Sequence, residues 1–163
     1  MKVFVTGGTG AIGQPAVSAL VAAGHQVTAL SRSDVKSDRL RRQGASPVQV
    51  SLFDRERLAQ LFAGHDAIVN LASALPATRD FAKYGAWAEN IRIRTEGSAT
   101  VVGAAFEAGV PRLVQESACM IYRDHGAEWI DEDRPTDVFS KARAPTTLPR
   151  PVPAGLRDRK SVV

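Results

Sequence analysis

Apolar and polar positions along this chain change period repeatedly. Short runs rich in β-branched and apolar residues, at 2–5 (KVFV), 26–30 (QVTAL), 47–50 (PVQV), 67–71 (AIVNL) and 111–115 (PRLVQ), predict five strands. The segments between them predict helices over 16–23, 34–43, 55–63 and 89–108. Gly24, Gly44 and Gly109 stand where helices stop. Asp54 is placed to cap the third helix, whose Leu58, Leu61 and Phe62 share a face. Pro47 is tolerable only at the start of its strand. The 67–71 run is apolar enough to be a central strand of a parallel sheet. Strand and helix alternating in this way predict an α/β fold, an open doubly wound parallel sheet of five strands with flanking helices.

The first strand runs directly into glycines, KVFVTGGTGAIG at 2–13, and then into a helix. Gly7, Gly8, Gly10 and Gly13 give both G-x-x-G-x-x-G and G-x-G-x-x-G spacings, in the strand–turn–helix context of a Rossmann-like dinucleotide site. Gly7 permits the tight turn, Gly10 lets backbone amides approach a pyrophosphate, and Gly13 lets the helix lie close on the sheet. A helix beginning near Ala11 would aim its free amides and dipole at the anion, and Pro15 suits its first turn. A ligand-free glycine turn is the alternative; the flanking strand and helix favour the nucleotide.

Chemistry at the ends of later strands refines this. Ser31-Arg32-Ser33 follows the second strand, where a free ribose 2′-hydroxyl usually meets an acid. A cation and hydroxyls suit a 2′-phosphate instead, so NADP is expected, with NAD as the alternative. The connection over 72–88 is long and holds Pro76, Tyr84, Gly85 and Trp87. Long loops at the carboxyl ends of such strands hold substrates, while core filling is the other reading of Tyr84 and Trp87.

Charge initially suggests a polyanion partner, since the isoelectric point is about 9.6. Residues 141–163 carry six basic residues and one acidic one, which leaves residues 1–140 at a net −1. The excess belongs to the tail, so no nucleic-acid partner is expected. No apolar run reaches the roughly 20 residues of a membrane span. With no leader visible, a cytoplasmic location without membrane contact is expected. The single Cys119, with His25, His65 and His125 scattered, predicts neither a disulfide framework nor a metal site.

Together these motifs resemble the extended or atypical short-chain dehydrogenase/reductase superfamily, in its NAD-dependent epimerase/dehydratase group. The likeness rests on TGGTGAIG at 6–13, VSLFDRERL at 50–58, VNLAS at 69–73, AAFEAGVPRLVQESACMIY at 104–122 and the Glu132/Pro135 pair, and covers about residues 1–139. By position, it implies that Ala11 and Ile12 touch the pyrophosphate, Leu71 and Ala72 flank the adenosine, and Ser31 and Arg32 read the ribose. The adenine-contacting aspartate of the family falls on Ser51, beside Leu52, while Asp54 matches the helix cap. The resemblance also implies a Ser/Thr, a Tyr acting as general acid or base, and a Lys that lowers the Tyr pKa. Here the chain departs from the pattern. Ala118 stands four residues before Tyr122, and neither Tyr84 nor Tyr122 is followed by Lys at the fourth position. Lys141 follows Ser140, but Asp137 stands four residues before it. Ser117 and Tyr122 are left as candidates, and a catalytic assignment stays open.

Beyond Ala144 the sequence is PTTLPRPVPAGLRDRKSVV, whose prolines at 145, 149, 151 and 153 forbid the helix that would carry a Tyr-Lys pair. The expected organisation is a nucleotide-binding domain over 1–144, incomplete relative to the family, and a disordered Pro/Arg-rich tail over 145–163, as a truncation or frameshift would produce. The leading functional reading is the NAD(P)-binding domain of an epimerase/dehydratase-like oxidoreductase acting on an unidentified small molecule. A non-catalytic NADP-sensing or partner-binding module and an inactive gene remnant are the alternatives. Oligomeric state is not readable.

Overall fold

The computed structural model describes residues 1–117, 122–131 and 133–136. Two compact units are present, Met1–Ser117 and one beginning at residue 118. The first is an α/β unit made of β1 (Lys2–Thr6), α1 (Gly13–Ala22), β2 (Gln26–Ser31), α2 (Asp34–Arg42), β3 (Ser46–Gln49), α3 (Arg55–Phe62), β4 (Ala67–Asn70), α4 (Ala88–Arg92), α5 (Ser98–Glu107) and β5 (Leu113–Gln115). All pairings are parallel in the order β3-β2-β1-β4-β5, the Rossmann arrangement in which the chain reverses direction across the sheet at β1 and β4. In register, Val3 pairs with Val27 and Ala67, and Thr6 with Asn70.

Side chains alternate across the sheet, so each strand contributes to two cores. Phe4 and Ile68 pack with Leu58 and Phe62 of α3 and Val101, Ala104 and Ala105 of α5. Phe4 and Phe62 meet edge to face, with centroids 4.7 Å apart. On the other face Val3, Val5, Val27 and Ala29 pack with Val17 of α1 and Leu40 of α2. Each fully buried Phe, Leu or Val contributes about 1.5–3 kcal/mol relative to exposure, which makes β1, buried on both faces, the anchor of the unit. At the far edge β5 leaves Val114 56% exposed, and Phe106 of α5 is 85% exposed.

Three expectations need correction. Residues 88–107 do not form a uniform α-helix, because Ile93–Gly97 is a π turn between α4 and α5. Pro47 lies inside β3, paired with Ala29, rather than at its start. β3 is an edge strand, and an edge tolerates a residue without an N–H. α1 starts at Gly13 rather than near Ala11, since residues 10–12 complete the glycine turn first.

In the second unit Tyr122 forms an antiparallel bridge to Thr136, and Arg123 N donates to the Pro135 carbonyl (3.1 Å). Ala118, Cys119, Glu132, Asp137, Lys141 and the 145–163 tail lie outside the described residues. No helix among the described residues is long and apolar enough to cross a membrane.

Candidate functional site

The carboxyl ends of five parallel strands share one end of the first unit, and most of the predicted site residues gather there. At the end of β1, Gly7 takes φ +68°, and a Cβ on it would overlap the Leu71 carbonyl. This close approach fixes the turn against the chain leaving β4. Gly10 N donates to the Gly7 carbonyl (2.9 Å), and Gln14 Nε2 donates to the Thr9 carbonyl (3.2 Å). A Cβ on Gly13 would collide with the Gly7 carbonyl and lie 2.7 Å from Gly8 Cα, so the helix can start this close only without a side chain there.

Gly10 differs. An added Cβ would meet nothing within 4 Å but the Gly7 carbonyl oxygen at 3.2 Å, which leaves a cradle over the turn that the protein does not fill. Gly10, Ala11 and Ile12 are exposed. α1 has no side-chain cap and no acid in its first turn, so its leading amides stay available to an anion. These features fit a pyrophosphate held by Gly7, Gly10, Ala11, Ile12 and Gly13; the bound dinucleotide would supply hydride transfer.

At the end of β2 the predicted ribose pair separates. Ser31 is 1% exposed, and its hydroxyl donates to the Ser33 carbonyl (2.9 Å) and shares a hydrogen bond with Ser37 Oγ (2.8 Å). It holds the turn into α2. Arg32 is exposed and makes no ion pair among the described residues. Ser33, also exposed, caps α2 by accepting from Lys36 N (3.4 Å).

Past β3, the exposed Ser51 accepts from Phe53 N (3.2 Å), and half-buried Leu52 packs on the core. Asp54 caps α3, its Oδ1 accepting from Arg57 N (3.0 Å). At the end of β4, half-buried Leu71 and Ala72 follow Asn70, and Leu71 N donates to the Thr6 carbonyl (3.2 Å).

Sequence reading missed the polar centre of this edge. Asn70 is buried; its Oδ1 accepts from Thr6 Oγ1, and its Nδ2 donates to Gln115 Oε1 (2.7 Å). Three strand ends are thereby tied together. The buried Asn90 accepts from Ala74 N (3.1 Å), and Arg94 of the π turn pairs with Glu116 just past β5 (3.1 Å). An asparagine inside the apolar run 67–71 was the available signal.

Along 72–87, Trp87 packs edge to face on Phe81 (4.6 Å) and donates from Nε1 to its carbonyl (2.8 Å). Tyr84 is 75% exposed, so it is not core filling. Ser117 is exposed at the end of the first unit, whereas Tyr122 belongs to the second. Among the described residues no group of three or more His, Cys, Asp or Glu could hold a metal.

Comparison with known proteins shows the family. Residues 7–147 match the family model described as NAD(P)H-binding. The chain is 41% identical over 138 residues to 3-diazoavenalumate denitrifying reductase of a Streptomyces species, covering 83% of this chain and 43% of that protein. It is 35% identical over 148 residues to 4-hydroxy-2-methyl-3-oxo-4-farnesyl-3,4-dihydroquinoline-1-oxide ketoreductase of Stigmatella aurantiaca, covering 90% and 42%. Among solved structures, UDP-glucose-4-epimerase from Stenotrophomonas maltophila with bound NAD superposes with a TM-score of 0.65 at 30% identity, over 84% of this chain and 43% of that one. DesIV, a dTDP-glucose 4,6-dehydratase from Streptomyces venezuelae with NAD bound, gives 0.70 at 26% identity, over 84% and 45%. The chain thus spans less than half the length of these relatives. With the glycine turn, the 3-2-1-4-5 sheet and this match in hand, the chain belongs to the NAD(P)H-binding family, as the NAD(P)H-binding domain of an extended short-chain dehydrogenase/reductase of the epimerase/dehydratase group.

Proposed function

We propose that this chain binds NADP(H) in preference to NAD(H), and that residues 1–163 alone do not turn the cofactor over at the rate of a working reductase. The single observation that carries the preference is Arg32, an exposed guanidinium without an ion-pair partner among the described residues, at the strand end where the ribose lies. Exposed Ser33 beside it supplies the hydroxyl first assigned to Ser31. Charge-assisted hydrogen bonds to a 2′-phosphate contribute more than neutral ones, and NAD(H) cannot make them.

The ketoreductase among the relatives supports a parent reaction of carbonyl-reductase type. Against turnover by this chain stand Ala118 at the family hydroxyl position and no tyrosine four residues before a lysine. General acid–base catalysis is worth about 10² to 10⁴ in rate. Titration of the purified chain with NADPH and NADH tests the binding claim. The expected result is tighter NADPH binding that reverses in Arg32→Asp; equal affinity in the unaltered chain would refute it. NADPH oxidation with a panel of aldehydes, ketones and sugar nucleotides tests the second claim, and robust turnover lost in Tyr122→Phe would overturn it.

A further inference from the structure

We infer that the free edge of β5 pairs with the same edge of a second copy of this chain, antiparallel and centred on Val114. This stands apart from the cofactor reading. Among the described residues β5 has a strand partner, β4, on one side only. Ile68 N donates to the Arg112 carbonyl (2.9 Å) and Glu116 N to the Asn70 carbonyl (3.0 Å), so residues 112, 114 and 116 turn their backbone groups toward β4. Alternate residues of a strand bond to opposite sides, so Leu113 and Gln115 present N–H and C=O to the open edge. Such an edge is a template for another strand.

The edge is complementary to itself. A two-fold axis at Val114 sets Leu113 opposite Gln115 of the second copy, where the two residues exchange both of their backbone hydrogen bonds. The same register sets Arg112 opposite Glu116 of the second copy. Arg112 is exposed and makes no ion pair among the described residues. Glu116 Oε1 accepts from Arg94 (3.1 Å), and its Oε2 has no partner among them. Opposite charges across a strand pair stabilise it, whereas a parallel pairing would set Arg112 against Arg112. The Val114 side chains, 56% exposed as they stand, meet on the axis.

The opposite edge of the sheet does not offer the same template. β3 carries Pro47, which has no N–H, so a ladder cannot run on past that strand and association closes at two copies.

Sedimentation equilibrium of the full chain tests this. A three-residue strand makes a small interface, so half-dissociation is expected at about 10–100 µM. Val114→Lys and Val114→Glu each set two like charges on the axis and are expected to stay monomeric to about 300 µM, while an equimolar mixture of the two recovers the dimer. Circular dichroism shows that both variants are folded before they are mixed. In the unaltered chain, amide exchange at Leu113 and Gln115 is expected to slow about threefold or more between dilute and concentrated samples. An unaltered chain that is monomeric to about 300 µM overturns the inference and leaves the edge to a strand of a longer protein. Dimers that persist in Val114→Lys, folded variants whose mixture stays monomeric, or exchange at Leu113 and Gln115 that ignores concentration would overturn it equally.

Discussion

Substituting the glycines of the β1–α1 turn one at a time should separate structure from binding. Gly13→Ala forces a Cβ into the Gly7 carbonyl and within 2.7 Å of Gly8 Cα, both backbone atoms that cannot rotate away. Overpacking of this kind costs about 1–3 kcal/mol. Gly7→Ala meets the Leu71 carbonyl and also carries the left-handed backbone penalty at φ +68°, about 1–2 kcal/mol more. Gly10→Val carries a lighter burden: φ is not positive and the added Cβ meets one carbonyl oxygen at 3.2 Å, a tight contact relieved by a shift of a few tenths of an ångström, so it should cost less stability than Gly13→Ala or Gly7→Ala. Its branched side chain would instead fill the cradle through which a pyrophosphate reaches the amides of Ala11 and Ile12. Hydrogen bonds to charged groups are worth about 1.5–3 kcal/mol each, so losing one lowers affinity about 10- to 100-fold and losing two lowers it by more than about 100-fold. Urea unfolding and NADPH titration on the same preparations give both readings. A folded Gly10→Val that keeps its affinity would reduce the turn to a structural device. A Gly10→Val that unfolds while Gly13→Ala does not would reverse the assigned roles.

Asn70→Leu should cost about 1–3 kcal/mol in urea unfolding, because the buried Thr6 hydroxyl loses its acceptor. Adding Thr6→Val should recover part of that loss, and strict additivity would refute the coupling. Phe106→Ser, at a side chain 85% exposed, should leave the urea midpoint unchanged while raising the concentration at which the protein stays monodisperse by light scattering.

The parts of this fold legible in the sequence are those decided within a dozen residues. The β1–turn–α1 unit is of this kind: an apolar run, glycines whose spacing is set by backbone approach, and a helix whose start is left uncapped. Asp54 was equally readable, since a cap needs only the amide three residues on, and Arg57 N supplies it. Misreadings occurred where a distant element decides. Pro47 is accepted inside a strand because β3 lies at the edge of the sheet, a fact of strand order that local pattern does not carry. Ser31 could be placed at the right strand end, but its hydroxyl is shared with Ser37, about one turn into the next helix.

The π turn shows why the remainder of the site escaped a reading by motif. Its residues look like any helix interior, yet Gly97 leaves room for Leu52 past β3, Arg92 covers Phe53, and Arg94 holds Glu116 past β5. One extra residue in a helical turn rotates the side chains beyond it relative to those before, which lets α4 and α5 present different faces to the same sheet edge. Asn90, one turn earlier, holds the start of the 72–87 loop through Ala74 N. Loops from three strands are therefore positioned by a single interrupted helix. Substitutions at Arg92 or Gly97 should therefore disturb the loop past β3, which proteolysis or amide exchange there would report, while substitutions at Arg94 act near the end of β5.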